Sequence, residues 1–290
     1  MKYAIFDLGS NSVRLMLWER GKTLEKRVVV TGLGRGLQSG GTLDGAAAER
    51  TLNAVRSLKD YAKDRGAERF CAFGTAAMRK AADGGEFARR IALETGVPTE
   101  IIGGEEEAAF GLSGALCGRD GGIIDIGGAS TEITVSAGGK KIYSYSLDLG
   151  TVSLTDACGQ NAGKSAALSA EKIKEYGEIP SAEFYGIGGT ATSLAAIDLA
   201  LSPYDPARVN GHVLGRETMR SLASRLAAMS VEERRNLKGL QPERAEVIAN
   251  GALLLVAIME RFGMEKITVS ESDNLEGYAL SRFAKTEDKR

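Results

Sequence analysis

Histidine is almost absent from this chain: His212 is the only one in 290 residues. That excludes a histidine-rich metal cluster and any mechanism that needs a histidine pair. Cysteine is scarce as well. Cys71, Cys117 and Cys158 are odd in number, widely spaced and form no C-x-x-C pair, which predicts buried reduced thiols rather than a disulfide or a metal site. Apolar runs are short: the longest of note, Ala252 to Met259, has eight residues, against the roughly 20 that a membrane-spanning helix needs. No charged-then-apolar leader opens the chain and Asp7 interrupts the first apolar run, so no secretory signal is expected and the expected compartment is the cytoplasm. An excess of positive charge is missing too. A net charge of −1 argues against a broad nucleic-acid-binding face, so an anionic ligand must be held by local cations and backbone dipoles.

What is present is the balance of a soluble globular protein, 43% hydrophobic and 26% charged. The length suits two domains, each able to bury its own core. The most informative feature is a repeated element. Asp7 begins DLGSNSVRLML and Asp125 begins DIGGASTEITV. Aligned without a gap, they share Asp7/Asp125, Gly9/Gly127 and Ser12/Ser130, with apolar matches at Leu8/Ile126, Leu15/Ile133 and Leu17/Val135. Each copy follows a short apolar run and leads into alternating polar and apolar residues, which predicts strand, tight turn, strand. A carboxylate at a strand end before a turn of small residues suits a bound phosphate. Backbone N–H groups can approach the oxygens closely while the Asp holds a hydrated divalent cation. Two copies predict a duplicated domain with a phosphate chain gripped between them.

Periodicity predicts strands at about 3–8, 12–19 and 23–31, then a helix over 44–65 with Leu52, Val55, Leu58 and Tyr61 on one face. A strand at 69–73, a helix at 85–94, a strand at 98–102 and a helix at 105–116 follow. The pattern restarts with strands at 123–125, 131–136 and 141–147. A third Gly-rich turn, GIGGTATSL from Gly186, joins a strand at 184–187 to a helix running to Leu199. Helices at 216–228 and 243–262, a strand at 266–269 and a last helix through Leu280 complete the reading. The stretch 205–212 reads as an irregular loop and the charged KTEDKR end as a solvated tail. The fold class is α/β with mixed sheets. Expected domains are 1–119 and 120–276; periodicity leaves open whether a last helix, about 277–290, packs back on the first.

Asp7 and Asp125 are candidate cation ligands, direct or through water. Gly188, Gly189 and Thr190 open a helix and are candidate phosphate contacts, since a helix N-terminus is an anion site. Glu105, Glu106 and Glu107 open another helix, where acidic residues are favoured by the dipole. One of them placed over phosphorus could orient or deprotonate an attacking water, and the residues alone do not choose among the three. Arg79, in GTAAMRKA, is a candidate clamp because a guanidinium matches phosphate oxygens in two-pronged fashion. Arg14 and Lys80 are weaker candidates, and His212 is expected to sit in a polar loop without chemistry.

Together these residues resemble the exopolyphosphatase and guanosine pentaphosphate phosphohydrolase (Ppx/GppA) family of the actin-like ATPase superfamily. DLGSNSVRL resembles its first phosphate loop, GTAAMRKAADG its Arg-bearing segment, IIGGEEEAAFGL the segment with the catalytic acid and DIGGASTE the second phosphate loop. GIGGTATSLA, NGH, PERAEVIANGALLL and VSESDNLEGY continue the correspondence in order. The resemblance implies two ribonuclease-H-like domains flanking a cleft, in a short form without the appended HD-type domain of longer relatives. It implies Mg²⁺-dependent removal of terminal orthophosphate from inorganic polyphosphate, with Mn²⁺ as the alternative cation. The catalytic glutamate of the family precedes an alanine, which selects Glu107. Asp125 and Glu132 match the metal-site acids and Asp7 their partner. Phosphate contacts are expected from Gly9, Ser10, Asn11 and Ser12, from Arg79, from Gly127, Gly128, Ala129 and Ser130, and from the third turn.

Two positions depart from the family pattern. Ala129 stands where a third glycine is usual, and Leu275 stands where an arginine usually precedes Glu-Gly, with the loss of one cation near Asp273. These departures motivate one alternative, a catalytically weak polyphosphate- or nucleotide-binding sensor. Hydrolysis of pppGpp or nucleoside triphosphates on the same machinery is the other alternative. A sugar or acetate kinase is disfavoured by the end-to-end match. Neither a nucleic-acid nor a membrane partner is expected, and a homodimer is the common outcome for a cytosolic enzyme.

Overall fold

A computed structural model of the chain describes residues 1–37 and 41–287. β1 (Lys2–Leu8), β2 (Ser12–Glu19) and β3 (Lys22–Val30) run as an antiparallel meander. β1 is apolar on both faces because both are covered: Ala4, Phe6 and Leu8 enter one buried cluster, Tyr3 and Ile5 another. α1 (Gly45–Asp64) starts where the Asp44 side chain accepts the Ala47 N–H at 2.8 Å, and it buries Leu52, Val55 and Leu58 against the first cluster. β4 (Arg69–Gly74), α2 (Ala76–Lys80), α3 (Gly84–Thr95), β5 (Thr99–Ile101) and α4 (Gly104–Leu116) follow. The sheet order is β3-β2-β1-β4-β5, with β1, β4 and β5 parallel.

The second half repeats this plan. β6 (Gly121–Ile126), β7 (Thr131–Ala137) and β8 (Lys140–Leu147) form the meander. α5 (Thr151–Cys158) and α6 (Ala162–Lys172) lead to β9 (Phe184–Ile187), α7 (Gly188–Asp198), α8 (Pro206–Val209) and β10 (Val213–Gly215). Then come α9 (Arg216–Ala228), α10 (Val231–Arg235), α11 (Ile248–Arg261) and β11 (Lys266–Val269). Read from β8, the sheet is β8-β7-β6-β9-β11 with β10 added at the edge. Strand for strand, that is the order of the first sheet.

The chain divides into two compact units, 1–114 with 274–290, and 115–273. α12 (Asn274–Glu287) therefore belongs to the first unit. There it covers the sheet face not taken by α1: Tyr278 stacks on Phe73 at 4.8 Å between ring centres, and Phe283 on Tyr3 at 4.2 Å. No helix among the described residues is long and apolar enough to cross a membrane.

Several expectations need correction. α5 and α6 were not predicted, because the buried face of α6 carries Ser165 and Ser169 rather than an apolar stripe. The helix expected over 243–262 is interrupted: Pro242–Arg244 is a single 3₁₀ turn and α11 begins only at Ile248. The loop expected over 205–212 contains α8, whose Asp205 cap accepts the Ala207 N–H at 3.0 Å. Among the cysteines, Cys71 and Cys158 are half-buried and Cys117 exposed, so the thiols are less buried than expected. Burial pushes the Cys71 thiol up to about 12, which leaves it unreactive. Of the charged KTEDKR end, expected as a solvated tail, 285–287 continue the backbone of the last helix instead, and 288–290 lie outside the described residues.

Candidate active site

Parallel strands deliver the candidate residues to the same edge of each sheet. In the first unit the carboxyl ends of β1, β4 and β5 lead to the loop after Asp7, to Arg79 on α2 and to Glu107 on α4. In the second unit β6 and β9 lead to the loop after Asp125 and to the turn at Gly188. The outer ends of parallel strands are where α/β sheets place ligands.

The two loops have the same internal geometry. Gly9 N donates to Ser12 O at 3.0 Å, and Gly127 N to Ser130 O at 3.0 Å. In both, a backing segment takes up the carbonyls that would repel an anion. Ser10 O accepts from Gly34 N, and Asn11 O from Thr31 N and Gly32 N. Gly127 O accepts from Thr151 N, and Gly128 O from Val152 N and Ser153 N at the start of α5. A turn whose carbonyls are tied back presents its amide side, as an anion site requires. Ser10, Asn11, Ser12 and Ser130 are buried in these turns, and the Asn11 Oδ1 has no hydrogen-bond partner among the described residues. Ala129 is buried as well, with 8% exposure, so its methyl is packed into the turn.

The hairpins differ in what faces the aspartate. Asp7 lies directly opposite Arg14, and the guanidinium donates to Asp7 Oδ2 from Nε at 2.9 Å and again from Nη2. Asp125 lies opposite Glu132. Side chains directly opposite on a sheet share a face at about 4.5–5.5 Å between Cβ atoms. Both carboxylates are buried, and Glu132 Oε1 accepts from the Ser146 hydroxyl at 2.6 Å.

Among the three glutamates the fold separates what composition could not. Glu105 and Glu106 are exposed, and Glu106 meets Arg282 at 3.3 Å. Glu107 turns inward with 7% exposure, and its Oε2 accepts from Arg79 Nη1 at 3.0 Å. The same Arg79 nitrogen donates to Ile102 O at 2.9 Å, which fixes the guanidinium against the start of α4.

The third turn is built by close approach. A Cβ on Gly188, which has φ +73°, would stand 2.5 Å from Asp125 Oδ1, and one on Gly189 would stand 2.3 Å from Arg244 Nη1. The turn thus lies with a carboxylate at one glycine and a guanidinium at the next. Arg244 was not singled out from sequence. It reaches Gly189 because the helix expected through 243–262 breaks at the 3₁₀ turn, where Arg244 Nε donates to Gln241 Oε1 at 3.0 Å. Ser146, on the third strand of the meander and directly opposite Glu132, was also missed. Thr190 spends its hydroxyl proton on Ile126 O at 2.7 Å, tying α7 to the end of β6. Thr190→Val is therefore expected to lower stability by about 1–2 kcal/mol, readable by chemical denaturation.

The Leu275 side chain is part of the hydrophobic core. It is fully buried with Phe110, Ile102 and Tyr278 in the cluster under α12. The cation that the family pattern usually carries there is replaced by packing.

A model of the Ppx/GppA phosphatase family matches residues 20–286 of this chain. Exopolyphosphatase 2 of Mycobacterium tuberculosis is 29% identical, over 97% of this chain and 98% of its own length. The solved structure of the Aquifex aeolicus member of the Ppx/GppA family is 28% identical, with a TM-score of 0.78 over 99% of this chain and 98% of that one. A solved exopolyphosphatase-like protein superposes with a TM-score of 0.90 at 24% identity, covering 99% of this chain and 100% of its own, a likeness of fold. The two-sheet α/β architecture expected from the resemblance is the one found. With a family model spanning nearly the whole chain, this protein belongs to the Ppx/GppA phosphatase family and is a phosphoanhydride hydrolase.

Proposed function

We propose that the chain is an exopolyphosphatase, releasing orthophosphate from the end of inorganic polyphosphate by attack of water. The observation that carries this reading is the Glu107–Arg79 pair, a buried carboxylate held at 3.0 Å by a guanidinium at the carboxyl edge of the sheet. Likeness along the whole chain to the mycobacterial exopolyphosphatase supports the substrate class. In the first unit the amides of 10–12 offer N–H groups to phosphate oxygens and Arg79 draws negative charge toward Glu107; in the second unit the amides of 128–130 offer the same. Arg244 adds a cation beside the third turn. Glu107 orients the water and accepts its proton as the new P–O bond forms. The bond to the bridging oxygen breaks, and a chain one unit shorter departs with that oxygen.

Asp125 and Glu132 fit a divalent cation. They are buried, lie directly opposite each other on β6 and β7, offer carboxylate oxygens, and have the Ser146 hydroxyl beside Glu132. Mg²⁺ is commonly held by one or two carboxylates together with water and substrate phosphate, and Mn²⁺ takes the same donors. Bound there, the cation neutralises charge on the phosphate oxygens.

The test is phosphate release from long-chain polyphosphate, short-chain polyphosphate, pppGpp and ATP in parallel, with Mg²⁺ and with excess chelator. Release from polyphosphate that chelator and Glu107→Gln both abolish is the expected result. Release from pppGpp or ATP alone would move the substrate to nucleotides. Folded protein that binds polyphosphate without cleaving it would make the chain a sensor.

A further inference from the structure

The helix expected through 243–262 breaks after Arg244, and two side chains from elsewhere in the second unit hold the backbone of the break. Ala245 O accepts from Arg234 Nη1 at 2.7 Å, and Glu246 O accepts from Gln160 Nε2 at 3.0 Å. In an uninterrupted helix those carbonyls point along the axis to the N–H groups of 249 and 250. Arg234 Nη2 also donates to Gln160 Oε1 at 2.6 Å, which joins the two side chains into one network. Met229 O accepts from Nη2 at 3.1 Å and from Nε at 3.3 Å. Arg234 is 1% exposed, and burying a cation is costly unless its donors are met; here all three nitrogens donate to neutral oxygens. The turn that carries Gln160 is tied down from the far side of the break, where Asn250 Nδ2 donates to Thr155 Oγ1 at 2.9 Å and to Gly159 O at 3.1 Å. Thr155 lies on α5, whose first residues take up the Gly127 and Gly128 carbonyls of the second phosphate loop. α5 thus runs from the back of that loop to the break that seats Arg244.

We infer that Arg234 is a positioning residue, acting with Gln160 through the 245–246 backbone to hold the Arg244 guanidinium beside the third phosphate turn. This rests on the part given to Arg244 in the proposed function. The seat is narrow: a Cβ on Gly189 would stand 2.3 Å from Arg244 Nη1 and 2.6 Å from Nη2. Two-pronged bonds from a guanidinium to phosphate depend on its aim, so a shift of the backbone that carries it weakens binding. Arg234 suits the task because its planar fork serves acceptors from Met229, Gln160 and Ala245 together, which a lysine ammonium on a flexible stem cannot match. One buried side chain thereby joins three separate segments at the residue next to Arg244.

The experiment is a double-mutant cycle on the Kd for inorganic tripolyphosphate, by titration calorimetry with Mg²⁺, in the full Glu107→Gln chain so that turnover does not blur the titration. Arg244→Gln should raise the Kd at least about tenfold, and Arg234→Lys, which keeps the charge and loses the fork, at least about fivefold. The two together should bind within about twofold of Arg244→Gln alone, because Arg234 then has no guanidinium left to position. In chains that retain Glu107, Arg234→Lys should raise KM for polyphosphate and leave kcat within about twofold, the mark of lost binding rather than lost chemistry. Should Arg234→Lys fail to fold, Gln160→Leu at an exposed position makes the same comparison. Arg234→Lys with a lower melting temperature but an unchanged Kd, or effects that add in the double variant, would overturn the inference and leave the proposed function standing. An unchanged Kd in Arg244→Gln would overturn both the inference and the part of Arg244 in the proposed function. Binding that follows the cycle without phosphate release by the wild type would uphold the inference and overturn the hydrolase reading of polyphosphate.

Discussion

Glu107→Gln is expected to lower kcat by about 10²–10⁴-fold while the protein melts like the wild type. Glutamine has nearly the same shape, and its Oε1 can still accept from Arg79 Nη1, which holds Glu107 at 3.0 Å. The backbone contact of Glu107 N with Gly103 O, at 3.0 Å, is untouched. What the amide cannot do is take a proton from water. The neighbouring Glu105 and Glu106 are exposed, so Glu105→Gln and Glu106→Gln are the matched controls, with changes of at most about twofold. Steady-state phosphate release and thermal melts of all three variants make the comparison. Glu107→Gln activity within tenfold of wild type would sink the assignment, and a large loss in Glu105→Gln would move it.

The second large effect is expected at a distance from phosphate chemistry. Gly277 in α12 presses against α4 so closely that a Cβ would stand 1.8 Å from Phe110 O and 2.4 Å from its carbonyl carbon. Both contacts are backbone, so no side-chain rotation can make room. Gly277→Ala should therefore force α12 and α4 apart, at a cost of about 3 kcal/mol or more. Because α4 carries Glu107 one turn earlier, kcat should fall together with stability. Tyr278→Phe is the milder comparison: it removes the hydroxyl bond to Glu100 Oε1 at 2.7 Å and keeps the ring on Phe73. Its expected cost is about 1 kcal/mol. If Gly277→Ala melted and turned over like the wild type, the α12 contact could not be what seats α4.

Much of the fold was legible because its elements carry their own periodicity. The strands Ser12–Glu19, Phe184–Ile187 and Lys266–Val269 and the helix Arg216–Ala228 have the boundaries expected from sequence. α6 was not legible, since burial of Ser165 and Ser169 leaves no apolar stripe to detect. The break before Ile248 was hidden for the opposite reason: PERAEVIANGALLL has helical character throughout, and only packing turns Pro242–Arg244 into a separate 3₁₀ turn. Arg244 at Gly189 is the consequence.

The sequence by itself determined the duplicated Asp–Gly–Ser turns, the family and the segments that carry the chemistry. These are properties of contiguous residues, whose spacing sets strand ends, turn types and helix faces. Tertiary structure decided which of three adjacent glutamates turns inward, because that depends on Arg79, brought over from another strand by the parallel β4–β5 pairing. It decided that Leu275 is core, because the ring and chain atoms around it come from Phe110 and Ile102 on distant elements. It also gave Asp7 a guanidinium and Asp125 a carboxylate, through a hairpin register that places residues seven apart face to face. A side chain's identity is local, but its partner is chosen by the fold, and for a buried charge the partner sets the chemistry.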